Sequence, residues 1–192
     1  MSRSQCARCL RPDSHCLCPL IPSLDSRTRV LILQHPSEVN HALNTARLAA
    51  LGLRNADLLV GERFDTLPDL QDSVLLFPGD EALPVASFAG SSRPLTLVVP
   101  DGTWRKARKL LYLNPQIARL PRVALPPDLV SRYRLRKAPM PGALSTLESI
   151  VTALSMLEGE GRFDALLRPF EALIDSQIQA MGADIYRRNY PA

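Results

Sequence analysis

No stretch of this chain approaches the ~20 consecutive apolar residues needed to span a bilayer. No apolar segment follows the first charge in Met1-Ser2-Arg3-Ser4-Gln5-Cys6 either. Neither a membrane span nor a secretory signal is expected, and the reading is a soluble, cytoplasmic protein. Several familiar catalytic signatures are missing too. There is no Gly-x4-Gly-Lys-Ser/Thr, which excludes a P-loop. Gly159-Glu160-Gly161 lacks a third glycine and follows a helical pattern, so it is no dinucleotide fingerprint. No Gly-x-Ser-x-Gly presents a serine nucleophile. His15, His35 and His41 form no metal pair at helical spacing around a Glu. Wholesale disorder is excluded by composition, because 46% of the 192 residues are hydrophobic and 22% charged. That length suits one domain with a small appendage, able to bury a core without disulfides.

The net charge of +4 hides an uneven distribution. Between Asp101 and Met140 lie ten basic residues: Arg105, Lys106, Arg108, Lys109, Arg119, Arg122, Arg132, Arg134, Arg136 and Lys137. Only Asp101 and Asp128 oppose them, so this stretch carries +8 and the remainder −4. A basic segment on an acidic remainder is the footprint of a polyanion binder. A plain solvated face would carry the same charges.

All four cysteines fall within the first eighteen residues, as Cys6, Cys9, Cys16 and Cys18 in a Cys-x2-Cys-x6-Cys-x-Cys pattern. Four thiolates so spaced suit a tetrahedral zinc, and four protein ligands leave no open position for water. The expected role is therefore structural. Two disulfides or four free thiols are the alternatives. Pro19, Pro22 and Ser23 then read as a linker, which sets residues 1–24 apart from a main domain at 25–192.

Thr28-Arg29-Val30-Leu31-Ile32-Leu33-Gln34 reads as a buried strand. Val39, Leu43, Ala46 and Ala50 recur at helical spacing up to Gly52, where a helix would stop. Further short apolar runs cover Asp57 to Val60, Ser73 to Phe77, Leu95 to Val99 and Arg122 to Leu125. Strand-like runs alternating with helical patterns predict an α/β fold with a largely parallel sheet and flanking helices. Three runs end in unusual loops: Gln34-His35-Pro36-Ser37-Glu38, Phe77-Pro78-Gly79 and Pro100-Asp101-Gly102-Thr103-Trp104. Ligands of open α/β sheets bind beyond the carboxyl ends of strands, so these loops are candidate ligand loops along one edge.

Residues 103–113 read as a helix with Trp104, Ala107, Leu110 and Leu111 inward and Arg105, Lys106, Arg108 and Lys109 wet. Asn114-Pro115 stops it. Asp101 just before this helix reads on its own as a cap, and Trp104 as a core contact. A basic, proline-rich stretch, Arg134 to Gly142, leads to Ser145 and Glu148, spaced as a capping box. The following helix buries Leu147, Ile150, Val151, Leu154 and Leu157, and its amino terminus beside a basic loop suits an anion. A last amphipathic helix follows Phe163, with Phe170, Leu173, Ile174 and Met181 inward.

Asp101-Gly102-Thr103-Trp104 resembles the signature of the DTW-domain family. Four other segments resemble it in family order: the cysteine cluster, Gln34-His35-Pro36 through Asn44-Thr45-Ala46-Arg47, Leu76-Phe77-Pro78, and Arg136-Lys137 through Leu144-Ser145-Thr146-Leu147-Glu148. The resemblance implies a tRNA-uridine aminocarboxypropyltransferase of SPOUT-like, potentially knotted fold. Such an enzyme moves the 3-amino-3-carboxypropyl arm of S-adenosylmethionine to N3 of a tRNA uridine, at position 47 of the variable loop, and releases 5′-methylthioadenosine.

On that reading Asp101 is the candidate base, the one acid of the signature loop, for the N3 proton. The donor's amino-carboxylate arm falls to Leu144, Ser145, Thr146 and Glu148 at the helix amino terminus. Its adenine falls to Leu76, Phe77, Pro78 and Gly79 with Pro100, Gly102 and Thr103, and Trp104 either stacks or packs. His35, Glu38 and Asn44 support the site. Arg105, Lys106, Arg108, Lys109, Arg134, Arg136 and Lys137 meet tRNA phosphates. Rival readings are a SPOUT-type RNA methyltransferase and a non-catalytic zinc-clip RNA-binding module.

Overall fold

The computed structural model describes residues 4–135 and 143–190. Arg136, Lys137 and the rest of the 136–142 segment, singled out above, lie outside the described residues. The described chain builds one six-stranded, all-parallel sheet from β1 (Arg29–Gln34), β2 (Ala56–Val60), β3 (Ser73–Leu76), β4 (Leu83–Pro84), β5 (Thr96–Asp101) and β6 (Arg122–Ala124). Their order is β2-β1-β5-β3-β6-β4. The helices are α1 (Ala46–Gly52), α2 (Trp104–Leu113), α3 (Pro115–Ala118), α4 (Thr146–Glu158), α5 (Leu167–Met181) and α6 (Ala183–Asn189). Among the described residues no helix is long and apolar enough to cross a membrane.

Both faces of the sheet are covered, which is why β1, β3 and β5 read as unbroken apolar runs. Successive side chains point to opposite faces. Val30, Ile32, Leu97 and Val99 join Leu48, Ile150, Leu154 and Phe170 from α1, α4 and α5 in one cluster. Leu31, Leu33, Leu75 and Val98 join Ala107, Leu110, Leu111 and Ile117 from α2 and α3 in the other. Truncating a buried Leu such as Leu31 to Ala costs about 2–5 kcal/mol at sites like these. The cysteine segment packs on the first cluster through Cys9, Leu17 and Ile21.

Three expectations are corrected. The helix expected from Val39 begins only at Ala46, because Asn44 Nδ2 donates to the carbonyls of Glu38 and Val39 and its Oδ1 takes the Arg47 N–H. Those bonds hold residues 38–44 as turns instead. Gly52 does end α1, for packing reasons: a Cβ there would lie 2.4 Å from Leu166. The strand expected to stop at Val99 runs through Pro100 to Asp101. The Asp101 carbonyl takes the His35 N–H on the β1 side. Alternation then points Pro100 towards β3, whose pairing with β5 ends at Val98, so no ladder bond is lost. Finally, Asp101 does not cap α2. Thr103 does, with its hydroxyl accepting from Lys106 N–H at 3.4 Å. Asn114-Pro115 stops α2 as expected, and Pro115 opens the one-turn α3.

Candidate active site

Parallel register sets the centre of the site. Gln34, last in β1, pairs with Asp101, last in β5, so both side chains leave the sheet edge together. Gln34 Nε2 donates to Asp101 Oδ2 at 2.8 Å and to Asn44 Oδ1 at 3.2 Å. The Thr146 hydroxyl at the start of α4 donates to Asp101 Oδ1. Asp101 is 8% exposed and Gln34 fully buried, with Gln34 Oε1 lacking a partner among the described residues. Burial pushes the Asp101 carboxyl above its ordinary value, Glu38 adds to the push, and Thr146, Gln34 and His41 oppose it. A buried carboxylate tuned this way is a stronger base than a solvated one.

Beside this pair lies a cavity of about 280 Å³. Its walls come from strand ends and helix starts: Leu76 ending β3 with Phe77 and Pro78 after it, Pro100 near the end of β5 with Gly102 after it, and Leu144 and Thr146 at the start of α4. Gly102 turns the chain at a φ of 150°, where a Cβ would sit 3.1 Å from Lys106 Cβ. Trp104 also lines the cavity and meets Phe77 edge-on at 5.5 Å between ring centroids. It is half-buried, so it packs on one side and faces the cavity on the other.

The structure thus gathers Leu76, Phe77, Pro78, Pro100, Gly102, Trp104, Leu144 and Thr146 around one space. It places the other four donor candidates elsewhere. Thr103 is the exposed cap of α2. Gly79 lies against the Arg122 guanidinium. Ser145 and Glu148 form the capping box of α4, and the Glu148 carboxylate also takes the Ser131 hydroxyl and, at 2.6 Å, the Arg132 N–H. Two site features were not singled out in the sequence. Gln34 was read as the end of a strand and the start of a candidate ligand loop, with no role assigned to its side chain. Val123 to Pro127 also wall the cavity; the signal was there, since they too sit at and beyond a strand's carboxyl end.

The supporting residues form a charged rim. Asn44 ties Gln34 to the 38–39 turn. Glu38 pairs with Lys106 at 2.6 Å. His35 Nε2 and Lys109 Nζ meet Glu62 at 2.8 and 2.7 Å, and Lys109 chiefly holds the Glu62 carboxyl below its ordinary range. Arg134 is bound to Asp175 of α5. Arg105 and Arg108 on α2 carry no ion pair among the described residues.

At the other end of the chain, the four cysteine sulfurs all lie within 4.8 Å of one another. Cys6 to Cys18 is 3.6 Å and Cys9 to Cys16 is 3.8 Å. Tetrahedral ligands about 2.3 Å from one ion are about 3.8 Å apart, whereas a disulfide needs about 2.05 Å. Main-chain N–H groups of Cys9 and Arg8 face the Cys6 sulfur and bring its thiol down to about 6, while burial first and the other thiols next push Cys18 up to about 12. The donor set fits a metal ion.

A family model described as "DTW domain" matches residues 3–178. The chain is 36% identical over 192 aligned residues to tRNA-uridine aminocarboxypropyltransferase 2 of Macaca fascicularis, covering 92% of this chain and 64% of that protein. The same-named protein of Drosophila melanogaster is 33% identical, over 92% of this chain and 76% of its own length. The tRNA-uridine aminocarboxypropyltransferase A of Arabidopsis thaliana is 26% identical, over 83% and 74%. The chain thus spans 64% of the length of the macaque and mouse relatives it matches. No solved structure matches it.

Proposed function

The chain belongs to the DTW-domain family, and from that premise we propose that it is a tRNA-uridine aminocarboxypropyltransferase. Its donor is S-adenosylmethionine, its acceptor N3 of a tRNA uridine, position 47 by the resemblance, and its by-product 5′-methylthioadenosine. The observation that carries the reading is the cavity closed by Thr146 and backed by buried Asp101.

The chemistry asks two things of these residues. The first is selectivity: a sulfonium has three electrophilic carbons, and only orientation decides which one meets the nucleophile. Phe77, Pro78, Pro100 and Trp104 supply rigid, apolar walls for the adenine. The α4 amino terminus at Thr146 suits the amino-carboxylate arm, and Leu144 lines the cavity beside it. The second is a proton acceptor. Thr146 lines the cavity and donates to Asp101, so its oxygen can take the N3 proton as its own passes to the carboxylate. Uracil N3 then attacks the γ-carbon, the N–C bond forms as the C–S bond breaks, and the sulfur leaves neutral.

Residues 1–24 are the metal-binding segment and 25–192 the transferase domain. Zinc fits the four thiolates and would hold the segment in shape without an open catalytic position. The parallel sheet, with β5 set between β1 and β3, supports a SPOUT-like architecture. Arg105 and Arg108, without an ion pair among the described residues, would meet tRNA phosphates, with Lys106 and Lys109 beside them. The test is nucleoside mass spectrometry of tRNA incubated with the full chain and S-adenosylmethionine. A uridine gaining the aminocarboxypropyl mass, with 5′-methylthioadenosine released, is the expected product. A methyl increment, or RNA and donor left unchanged, sinks the proposal.

A further inference from the structure

Trp104, Arg108 and Tyr112 stand four residues apart along α2, so they form one stripe on a single helix face. Helix burial does not explain the outer half of that stripe, for Tyr112 is 84% exposed. The stripe borders a second hollow, about 660 Å³, whose far wall includes Phe77 and Arg122. Phe77, Pro78 and Trp104 line this groove and the 280 Å³ cavity alike, so the two adjoin across these three side chains. The Arg122 guanidinium lies over the Phe77 ring, 5.7 Å from its centroid.

The charge of this surface is one-sided. Residues 102–127 contain no acid. Lys106 and Lys109 are bound to Glu38 and Glu62, yet Arg105, Arg108, Arg119 and Arg122 have no ion pair among the described residues. Alternating rings and unpaired guanidinium groups in an open groove are what a flexible polyanion with flat bases requires. A second copy of the chain is disfavoured there, because a two-fold contact would set this arginine surface against itself.

We propose that this groove is a single-stranded RNA subsite, in which a base flanking the acceptor uridine stacks on Tyr112 and its phosphates pair with Arg108 and Arg122. It rests on the acceptor being RNA and adds the reason a loop, rather than a duplex, is chosen: only unpaired bases reach the ring. Trp104 then stands at the junction, between the flanking base and the donor.

The experiment measures anisotropy of a short labelled oligouridylate against the full chain across a salt series. Tyr112→Ala weakens binding about tenfold, Tyr112→Phe binds like the parent, and a duplex of equal length competes poorly. Arg108→Gln with Arg122→Gln lowers the slope of log affinity against log salt by about 1.4, two single-strand phosphate contacts. Parental affinity in Tyr112→Ala together with an unchanged slope in the arginine variant overturns the subsite. So does light scattering that shows Tyr112→Ala splitting a dimer while oligouridylate affinity stays intact. Nucleoside analysis of tRNA separates the two readings. Transfer with groove variants binding as the parent does removes the subsite and leaves the activity. Tyr112-dependent binding without transfer removes the activity and leaves the subsite.

Discussion

Asp101 occupies a place where a charge is costly, and that cost is the source of its basicity. Among the described residues only two side chains, Gln34 and Thr146, donate to it. Burial outweighs both, so its carboxyl titrates above the ordinary range. The folded chain therefore holds this proton more tightly than the unfolded chain. Stability contributed by Asp101 is present below the ordinary Asp value of ~3.9 and falls as pH rises through the raised one. Asp101→Asn removes the buried charge and keeps the size. It should abolish transfer, leave donor binding in calorimetry, and raise the urea midpoint at pH 8, with the gap over the parent narrowing on acidification. A gap that ignores pH, or near-parental turnover, contradicts this account. Asp101 was singled out only as the one acid of the loop that resembles the family signature, since on its own it read as a helix cap. Gln34 was not, because its role comes from register with a strand sixty-seven residues away.

Among the elements, the amino terminus of α4 joins local and long-range demands. Ser145 and Glu148 announced a capping box by spacing alone, and the box is there. Spacing could not reveal that the same carboxylate also holds the Ser131 hydroxyl and the Arg132 N–H, seventeen and sixteen residues upstream. Nor could it show that these bonds turn Glu148 away from the cavity that Thr146 lines. Ser145→Ala forfeits one cap, about 1 kcal/mol. Glu148→Ala leaves Ser145 N–H, Arg132 N–H and the Ser131 hydroxyl to find other acceptors, at about 1–3 kcal/mol for each left unpaired. Denaturant unfolding should rank Glu148→Ala clearly below Ser145→Ala, and the reverse order would show that the carboxylate serves only the helix. The 36–45 stretch is the complementary case. Apolar spacing there suggested a helix, and Asn44 overrode it by binding main-chain carbonyls that a helix would have used.

At the scale of the molecule, the sheet order brings loops far apart in sequence to one edge, and the cysteine segment braces that edge from outside. The parallel class of the sheet was legible from apolar runs separated by helical patterns. Its order was not, because pairing of β5 with both β1 and β3 is a long-range choice that no local pattern encodes. The docking of residues 4–24 was equally hidden. Leu17 and Ile21 enter the main core, and Arg8 and Arg11 donate to the carbonyls of Leu51 and Ala42. Ala42 lies in the turn between Glu38 and Asn44, and Asn44 contacts Gln34, the partner of Asp101. A metal at the four thiolates would thus hold a clip that reaches the buried Asp101 carboxylate through a chain of named bonds. Releasing Leu17 and Ile21 forfeits about 1.5–3 kcal/mol each. At about 2–4 °C per kcal/mol for a chain of this size, Tm falls by roughly 10 °C. Metal analysis of the purified chain should find one zinc. A strong chelator, and independently Cys9→Ser, should produce that fall and make the remaining cysteines reactive to a thiol reagent. Transfer activity should decline at temperatures where the sheet is still folded by circular dichroism. An unchanged Tm in Cys9→Ser, with its remaining thiols still unreactive, would mean that packing alone holds the segment and that no ion braces the site.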